Sequence, residues 1–267
     1  MPNIIVSGAA GRMGSRIISL SGEYKDVRLV GAIERRDHKD IGRDIGEIVG
    51  TGPLGISLVG DINDVKEDPD VLIEFSTPGA SLEHLRIASD RGIAMVIGTT
   101  GFSREEIEEI ESHARKIPCV LAPNMSVGIN LLLKIVQDVA RVLGEDYDIE
   151  IIEAHHRMKK DAPSGTALKI AQTIAHTLGR DLDKVGVYTR KGLIGERSRT
   201  EIGIQTIRAG DIIGEHTILF GGLGERIEIT HRASSRDTFA RGALKASVWI
   251  STQRPGLYDM QDVLGLK

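Results

Sequence analysis

Cysteine and aromatic residues are scarce in this chain, and each shortage removes a class of function. The single cysteine, Cys119, excludes an internal disulfide and suits a reducing compartment. It sits in the apolar run Pro118-Cys119-Val120-Leu121, which reads as a buried, inert thiol rather than a nucleophile. Aromatics make up 3% of the residues, too few for the stacking platforms that hold single-stranded nucleic acid. Basic residues are not in excess either: the net charge is −4, so no general nucleic-acid partner is expected. No apolar run approaches membrane-spanning length and the opening Met-Pro-Asn-Ile-Ile-Val has no basic leader, so a cytoplasmic protein without a membrane partner is expected. No His-Glu-x-x-His motif or cysteine pair completes a metal ligand set, and no metal site is expected.

What is present is an ordinary globular composition, 40% hydrophobic, over 267 residues, enough for one large or two small domains. In the first half, short β-branched runs (NIIVS at 3–7, VRLVGAIE at 27–34, VLIEF at 71–75, AMVI at 94–97, then 120–122) alternate with helix-like stretches. Continuous apolar strands between helices imply a mainly parallel sheet covered on both faces. Ser103 and Glu106 form a capping box at the head of one such helix. After a long helix over 126–143 the pattern changes to period-two alternation at 147–154, 203–208, 214–220 and 226–230. That alternation predicts half-exposed strands in an open mixed sheet. The sequence Ser234-Ser235-Arg236-Asp237 is then expected to cap a last helix. The fold class is therefore α/β, a Rossmann-like doubly wound parallel sheet plus a second α+β domain. The first domain is expected over residues 1–125, with 235–267 packing back on it, and the second over 126–234.

Gly8-Ala9-Ala10-Gly11-Arg12-Met13-Gly14 follows the first strand and opens the first helix. Gly8 permits the tight turn, Gly11 lets backbone amides approach a pyrophosphate, and Gly14 allows helix and strand to pack closely. A glycine triplet alone is weak, but the strand before it and the helix and strand after it favour a dinucleotide site. Glu34 ends the second strand, placed to accept a ribose hydroxyl of NADH, while Arg35 beside it can hold the 2′-phosphate of NADPH. Arg36 suits that role or a charged surface turn equally. Three further loops, Phe75-Ser76-Thr77-Pro78, Gly98-Thr99-Thr100-Gly101 and Ala122-Pro123-Asn124-Met125, end parallel strands at the edge where such sheets bind ligands.

The run Glu153-Ala154-His155-His156-Arg157-Met158-Lys159-Lys160-Asp161-Ala162-Pro163-Ser164-Gly165-Thr166 concentrates basic side chains against a mildly acidic background. A solvated loop is one reading. The other is a carboxylate grip made of cations and the amides at a helix start, with a histidine able to move a proton. Beside a nicotinamide fold, that grip suggests hydride transfer to a small unsaturated dicarboxylate.

In order and spacing, GAAGRMG, EFSTP, GTTG, APNMSVG and EAHHRMKKDAPSGTAL resemble the 4-hydroxy-tetrahydrodipicolinate reductase family, formerly called dihydrodipicolinate reductase. The resemblance covers essentially the whole chain. It implies reduction of 4-hydroxy-tetrahydrodipicolinate with NADH or NADPH on the diaminopimelate route to lysine, by a homotetramer. It also implies that Gly8, Ala9, Ala10, Gly11, Arg12 and Met13 touch the dinucleotide. Glu34, Gly98, Thr99, Thr100, Ala122, Pro123, Asn124 and Met125 join them, with Arg35 on the 2′-phosphate. His155 matches a proton donor or acceptor and Lys159 a proton donor. His156, Gly165 and Thr166 match contacts to a small cyclic dicarboxylate. Met158 stands where many relatives have a third histidine. Other readings are a further two-domain NAD(P)-dependent reductase, or an NAD(P)-sensing regulator that binds without turnover.

Overall fold

The computed structural model describes residues 1–267, which form two compact units: Met1–Val127 together with Arg236–Lys267, and Gly128–Ser235. The chain runs β1 (Asn3–Ser7), α1 (Arg12–Ser21), β2 (Arg28–Ile33), α2 (Ile45–Val49), β3 (Leu58–Val59), β4 (Val71–Glu74), α3 (Pro78–Arg91), β5 (Ala94–Ile97), α4 (Arg104–Ala114) and β6 (Pro118–Leu121). Then come α5 (Val127–Leu143), β7 (Asp148–His155), α6 (Gly165–Thr177), α7 (Leu182–Val185), β8 (Gly186–Val187), β9 (Ile202–Arg208), β10 (Gly214–Gly221) and β11 (Arg226–Ala233). The chain returns to the first unit with α8 (Asp237–Ile250), β12 (Gly256–Tyr258) and α9 (Met260–Leu264).

The first unit is a seven-stranded parallel sheet in the order β12-β6-β5-β4-β1-β2-β3. Neighbouring residues of one strand serve opposite cores, which is why the strands read as unbroken apolar runs. Ile4 and Val6 of β1 join α1 and α8 on one face, through Ile17, Ala243 and Leu244. Ile5 faces the other side with Leu82 and Leu85 of α3 and Ile110 of α4. Cys119 belongs to that second core; burial pushes its thiol up to about 12, so it stays protonated and unreactive. The order reverses between β1 and β4, and ligands of such sheets sit beyond the carboxyl ends of those strands.

Ser103 and Glu106 do form the reciprocal capping box of α4. At α8, Arg236 precedes the first helical residue in helical conformation (φ −70°, ψ −9°), and its own side chain makes no capping hydrogen bond. Asp237 holds Arg16 of α1 in a bidentate pair at 2.8 and 2.9 Å.

The second unit is a five-stranded mixed sheet, β11-β10-β7-β9-β8. β7 pairs antiparallel with β10 and parallel with β9. α5 and α6 supply the core of one face, with Leu132 and Val136 from α5 and Ile170 and Ile174 from α6. Register makes that face a ladder of rows. Phe220, Ile149 and Ile202 form one row, and Ile229, Ile218, Ile151 and Ile204 the next. The following row is polar throughout: His231, His216, Glu153 and Thr206. One step further, His155 stands beside Arg208. Odd-numbered positions of β7 thus carry the apolar core to its end and finish it with a buried carboxylate and a histidine.

Candidate active site

In the first unit the glycine turn is sterically committed. Gly8 has φ +68°, and a Cβ there would lie 2.3 Å from the Phe75 carbonyl oxygen. A Cβ on Gly14 would lie 2.1 Å from the Gly8 carbonyl oxygen, so α1 can pack this tightly on the turn only through glycine. Gly11 and Arg12 are exposed, Ala9 is buried, and Ala10 and Met13 are half-buried. No acidic side chain occupies the first turn of α1, whose positive end therefore stays suited to a phosphate. Glu34 accepts hydrogen bonds from Ala10 N–H at 3.3 Å and Arg35 N–H at 3.1 Å, which ties the end of β2 to the turn. Arg35 is exposed and pairs only with the equally exposed Asp37, at 3.3 Å. Arg36 is exposed and pairs with Asp61.

The loops after β4, β5 and β6 are locked to one another. Gly98 lies flat against the Phe75 ring; a Cβ there would stand 2.2 Å from a ring carbon. Thr99 is buried, and its hydroxyl accepts from Ser76 N–H at 3.1 Å and from Ser81 Oγ at 2.9 Å. Thr100 and Pro123 are exposed. Ala122 and Met125 are core residues, and Asn124 Oδ1 accepts from Ser126 N–H at 2.9 Å. Sequence reading missed a buried pair at the same strand ends. Glu74, fully enclosed, lies 2.7 Å from His84 Nδ1, and Ser7 Oγ is 3.3 Å from the same nitrogen. Burial opposes protonation of His84, but Glu74 outweighs it and raises the imidazole above its ordinary value. Its sequence signal is an acid closing an otherwise apolar strand. These cradles fit a dinucleotide, with the exposed Gly11 giving backbone access, Gly8 and Gly14 setting the tight turn, and Glu34 with Arg35 available to the ribose end.

In the second unit the basic run divides by environment. His155 closes β7 and is 8% exposed. Its Nδ1 lies 2.5 Å from Glu153 Oε2. Glu153, with no exposed surface, also accepts Ser164 N–H at 3.0 Å and the Thr206 hydroxyl at 3.3 Å. Arg208 completes the set bidentately, at 2.9 and 2.8 Å. Burial works against the Glu153 charge, but the Arg208, His155 and Ser164 hydrogen bonds prevail and hold it below the usual carboxylate range. For His155 burial wins: it lowers the imidazole despite the upward pull of Glu153, and Lys159 and Arg208 lower it further. An ionised Glu153 can only accept, so Nδ1 carries the ring proton and Nε2 is left as acceptor. Nε2 faces Gly214, where an added Cβ would come within 3.1 Å.

His216, from β10, stacks edge-on to His155 with centroids 5.3 Å apart and lies 3.3 Å from Ser164 Oγ through Nε2. Burial pushes it down to about 4, so it is neutral at physiological pH. Lys159 is not a bare cation: its amine pairs with Asp161 at 2.9 Å. His156 is half-buried, while Arg157, Met158 and Lys160 are exposed. Ser164 caps α6 by accepting Ala167 N–H at 3.2 Å. Gly165 opens that helix, and a Cβ there would touch nothing within 4 Å. The structure thus gathers His155 and Lys159 around one site whose Ser164 cap leads directly into Gly165 and Thr166. Sequence reading missed Glu153, Arg208, His216 and Asp161. Parity in DIEIIEAH was the available signal, because Glu153 and His155 share the phase of Ile149 and Ile151. No group of three His, Cys, Asp or Glu side chains is placed to hold a metal, and no helix is long and apolar enough to cross a membrane.

Comparison with known proteins agrees across the whole chain. Residues 2–125 match the family model for the dihydrodipicolinate reductase N-terminus, and residues 128–264 the model for its C-terminus. The 4-hydroxy-tetrahydrodipicolinate reductase of Syntrophobacter fumaroxidans is 59% identical over 100% of both chains, and that of Syntrophus aciditrophicus 55% over 100% of both. A dipicolinate-bound dihydrodipicolinate reductase from Paenisporosarcina sp. TG-14 superposes with a TM-score of 0.75 at 28% identity, covering 98% of each chain. The chain belongs to the 4-hydroxy-tetrahydrodipicolinate reductase family, NADH- or NADPH-dependent oxidoreductases that reduce 4-hydroxy-tetrahydrodipicolinate to tetrahydrodipicolinate, with loss of water, in the diaminopimelate route of lysine biosynthesis.

Proposed function

We propose the following division of labour for that reaction. Residues 1–125, with 235–267, form the dinucleotide-binding domain, and 126–234 the domain for substrate binding and oligomerisation in a cytoplasmic homotetramer. Bound NADH or NADPH supplies the hydride. Gly8 to Met13 receive the pyrophosphate, and the loops at Gly98, Thr99, Thr100 and at Ala122, Pro123, Asn124, Met125 shape the rest of that site. In the second unit, His156, Gly165 and Thr166 hold the substrate carboxylates. His155 accepts or returns a proton through Nε2, and Lys159 donates one while its charge offsets negative charge developing on the ring.

One observation carries this reading. The Glu153 carboxylate bonds both Ser164 N–H, at the head of α6, and His155 Nδ1, so the acid grip and the proton-handling ring are one rigid unit. Dipicolinate, the ligand of the Paenisporosarcina relative, is the natural probe for this chain. Because the space around Gly165 is open, Gly165→Ala is expected to melt within about 2 °C of the unchanged protein. It should nonetheless bind dipicolinate about tenfold more weakly in titration calorimetry, since the methyl intrudes where a carboxylate approaches the helix start. Equal affinity would remove Gly165 from the grip.

Glu34 and the exposed Arg35 predict use of both cofactors. Arg35→Ala is expected to lower kcat/KM for NADPH about tenfold, on the order of a charge-assisted hydrogen bond, and to leave the value for NADH within twofold. A parallel loss with both cofactors would show that Arg35 does not read the 2′-phosphate.

A further inference from the structure

The polar rows at the end of the second sheet contain a residue for which the reaction has no direct use, yet it has more hydrogen-bond partners than any other group there. Glu153 is fully buried, and its two oxygens take five hydrogen bonds or ion-pair contacts, from His155, Ser164, Thr206 and, twice, Arg208. Arg208 is itself fixed, donating also to the carbonyl oxygens of Asp161 and Ile207, each at 2.7 Å. A carboxylate so surrounded cannot rotate and cannot act as a donor. The imidazole it touches is correspondingly confined, by Glu153 at Nδ1, by the edge of the His216 ring and by the Gly214 backbone near Nε2.

We propose that Glu153 is the positioning residue of this active site: clamped by Arg208, it holds His155 in the Nδ1–H tautomer and aims Nε2 at the reacting proton. The catalytic meaning of that orientation rests on the role assigned to His155 above. Charged and titratable groups reach this ring from every neighbouring element: Glu153 on its own strand, Arg208 on β9, His216 on β10 with His231 beyond it on β11, and the Lys159–Asp161 pair from the following loop. Among the groups acting on His155, Glu153 favours the imidazolium, while Lys159 and Arg208 oppose it.

Glu153→Gln makes the prediction sharp. The amide keeps the shape, and its oxygen can still accept from Arg208 and Ser164. Its nitrogen then faces Nδ1 as a donor, which reverses the tautomer and turns Nε2 into the proton-bearing atom. The variant should lose kcat by on the order of 100-fold, with KM for NADH unchanged. Whichever limb of the pH profile His155 sets should move to lower pH, because the carboxylate that supports the imidazolium is gone. Glu153→Asp, which keeps the charge, should keep the wild-type limb while losing only part of kcat.

Nitrogen-15 NMR of histidine-labelled protein reads the tautomer directly, with the His155 signals identified by their loss in His155→Gln. We expect a protonated Nδ1 in the unchanged protein and a protonated Nε2 in Glu153→Gln. A protonated Nε2 in the unchanged protein overturns the proposal without any variant having to fold. So does a Glu153→Gln enzyme that retains wild-type kcat, or one that loses kcat with its tautomer and pH limb unmoved, since Glu153 would then be structural only. If the tautomer reverses but His155→Gln itself leaves kcat intact, the assignment of His155 fails while the positioning geometry stands.

Discussion

His155→Gln is expected to lower kcat by roughly 10²- to 10⁴-fold, the usual range for removing a positioned acid or base, or about 3–5 kcal/mol of barrier. KM for NADH should be unchanged, because the cofactor is assigned to the other unit. Glutamine retains polarity but has no lone pair on a ring nitrogen to accept a proton. Lys159→Ala should behave differently. Its ammonium already neutralises Asp161, so its removal unbalances an acidic side chain beside the proposed carboxylate grip. That variant should therefore raise KM for substrate as well as lower kcat, and Asp161→Asn in the same background should recover part of the KM. Steady-state oxidation of NADH with freshly prepared substrate measures all three. If both single variants kept kcat within about threefold, less than about 1 kcal/mol, neither residue would belong to the proton path.

The parts of this site that were legible in the sequence are those encoded by neighbours in the chain. Gly8, Gly11 and Gly14 announce a turn between strand and helix because their spacing is local, and the clearances near 2 Å at Gly8 and Gly14 show why no other residue would serve at those two. Ser103 and Glu106 announce α4 in the same way. The doubly wound sheet was legible because a strand buried on both faces has to be apolar throughout. The short pieces β3, β8 and β12 were not, since two or three residues carry no period.

Partners that depend on sheet register were the largest omission. Arg208 lies 55 positions from Glu153, and His216 lies 52 from Ser164. Nothing local links either pair; they meet because β9 and β10 flank β7 in one particular alignment. The sequence therefore offered the basic run as a solvated loop or as a grip made of its cations, whereas its first residue is a buried anion bonded to His155 and Ser164. Lys159 likewise looked unpaired, although its partner Asp161 stands only two residues away.

Arg208→Met should be the most destabilising single change at this site. It keeps an unbranched side chain of similar length and removes the guanidinium that balances a carboxylate with no exposed surface. Breaking a buried pair from one side costs about 3–5 kcal/mol, because the remaining charge has no counterpart. The pH dependence gives the cause. In the unchanged protein Glu153 titrates below its ordinary value, so its contribution is present above the unfolded-state pKa and is lost as pH falls through the folded one. In Arg208→Met the largest of the downward influences is gone, and the folded pKa is expected to rise above the unfolded one. The penalty is then full at neutral pH and fades as pH falls through that raised value and the carboxyl takes up a proton. Urea unfolding at pH 7.5 and pH 5 should therefore show the gap between variant and unchanged protein narrowing on acidification. Adding Glu153→Gln to Arg208→Met removes the stranded charge and should recover most of the loss at pH 7.5. A double variant no more stable than Arg208→Met alone would assign the loss to packing of the arginine stem, and with it remove the reason to regard Arg208 as the electrostatic clamp on Glu153.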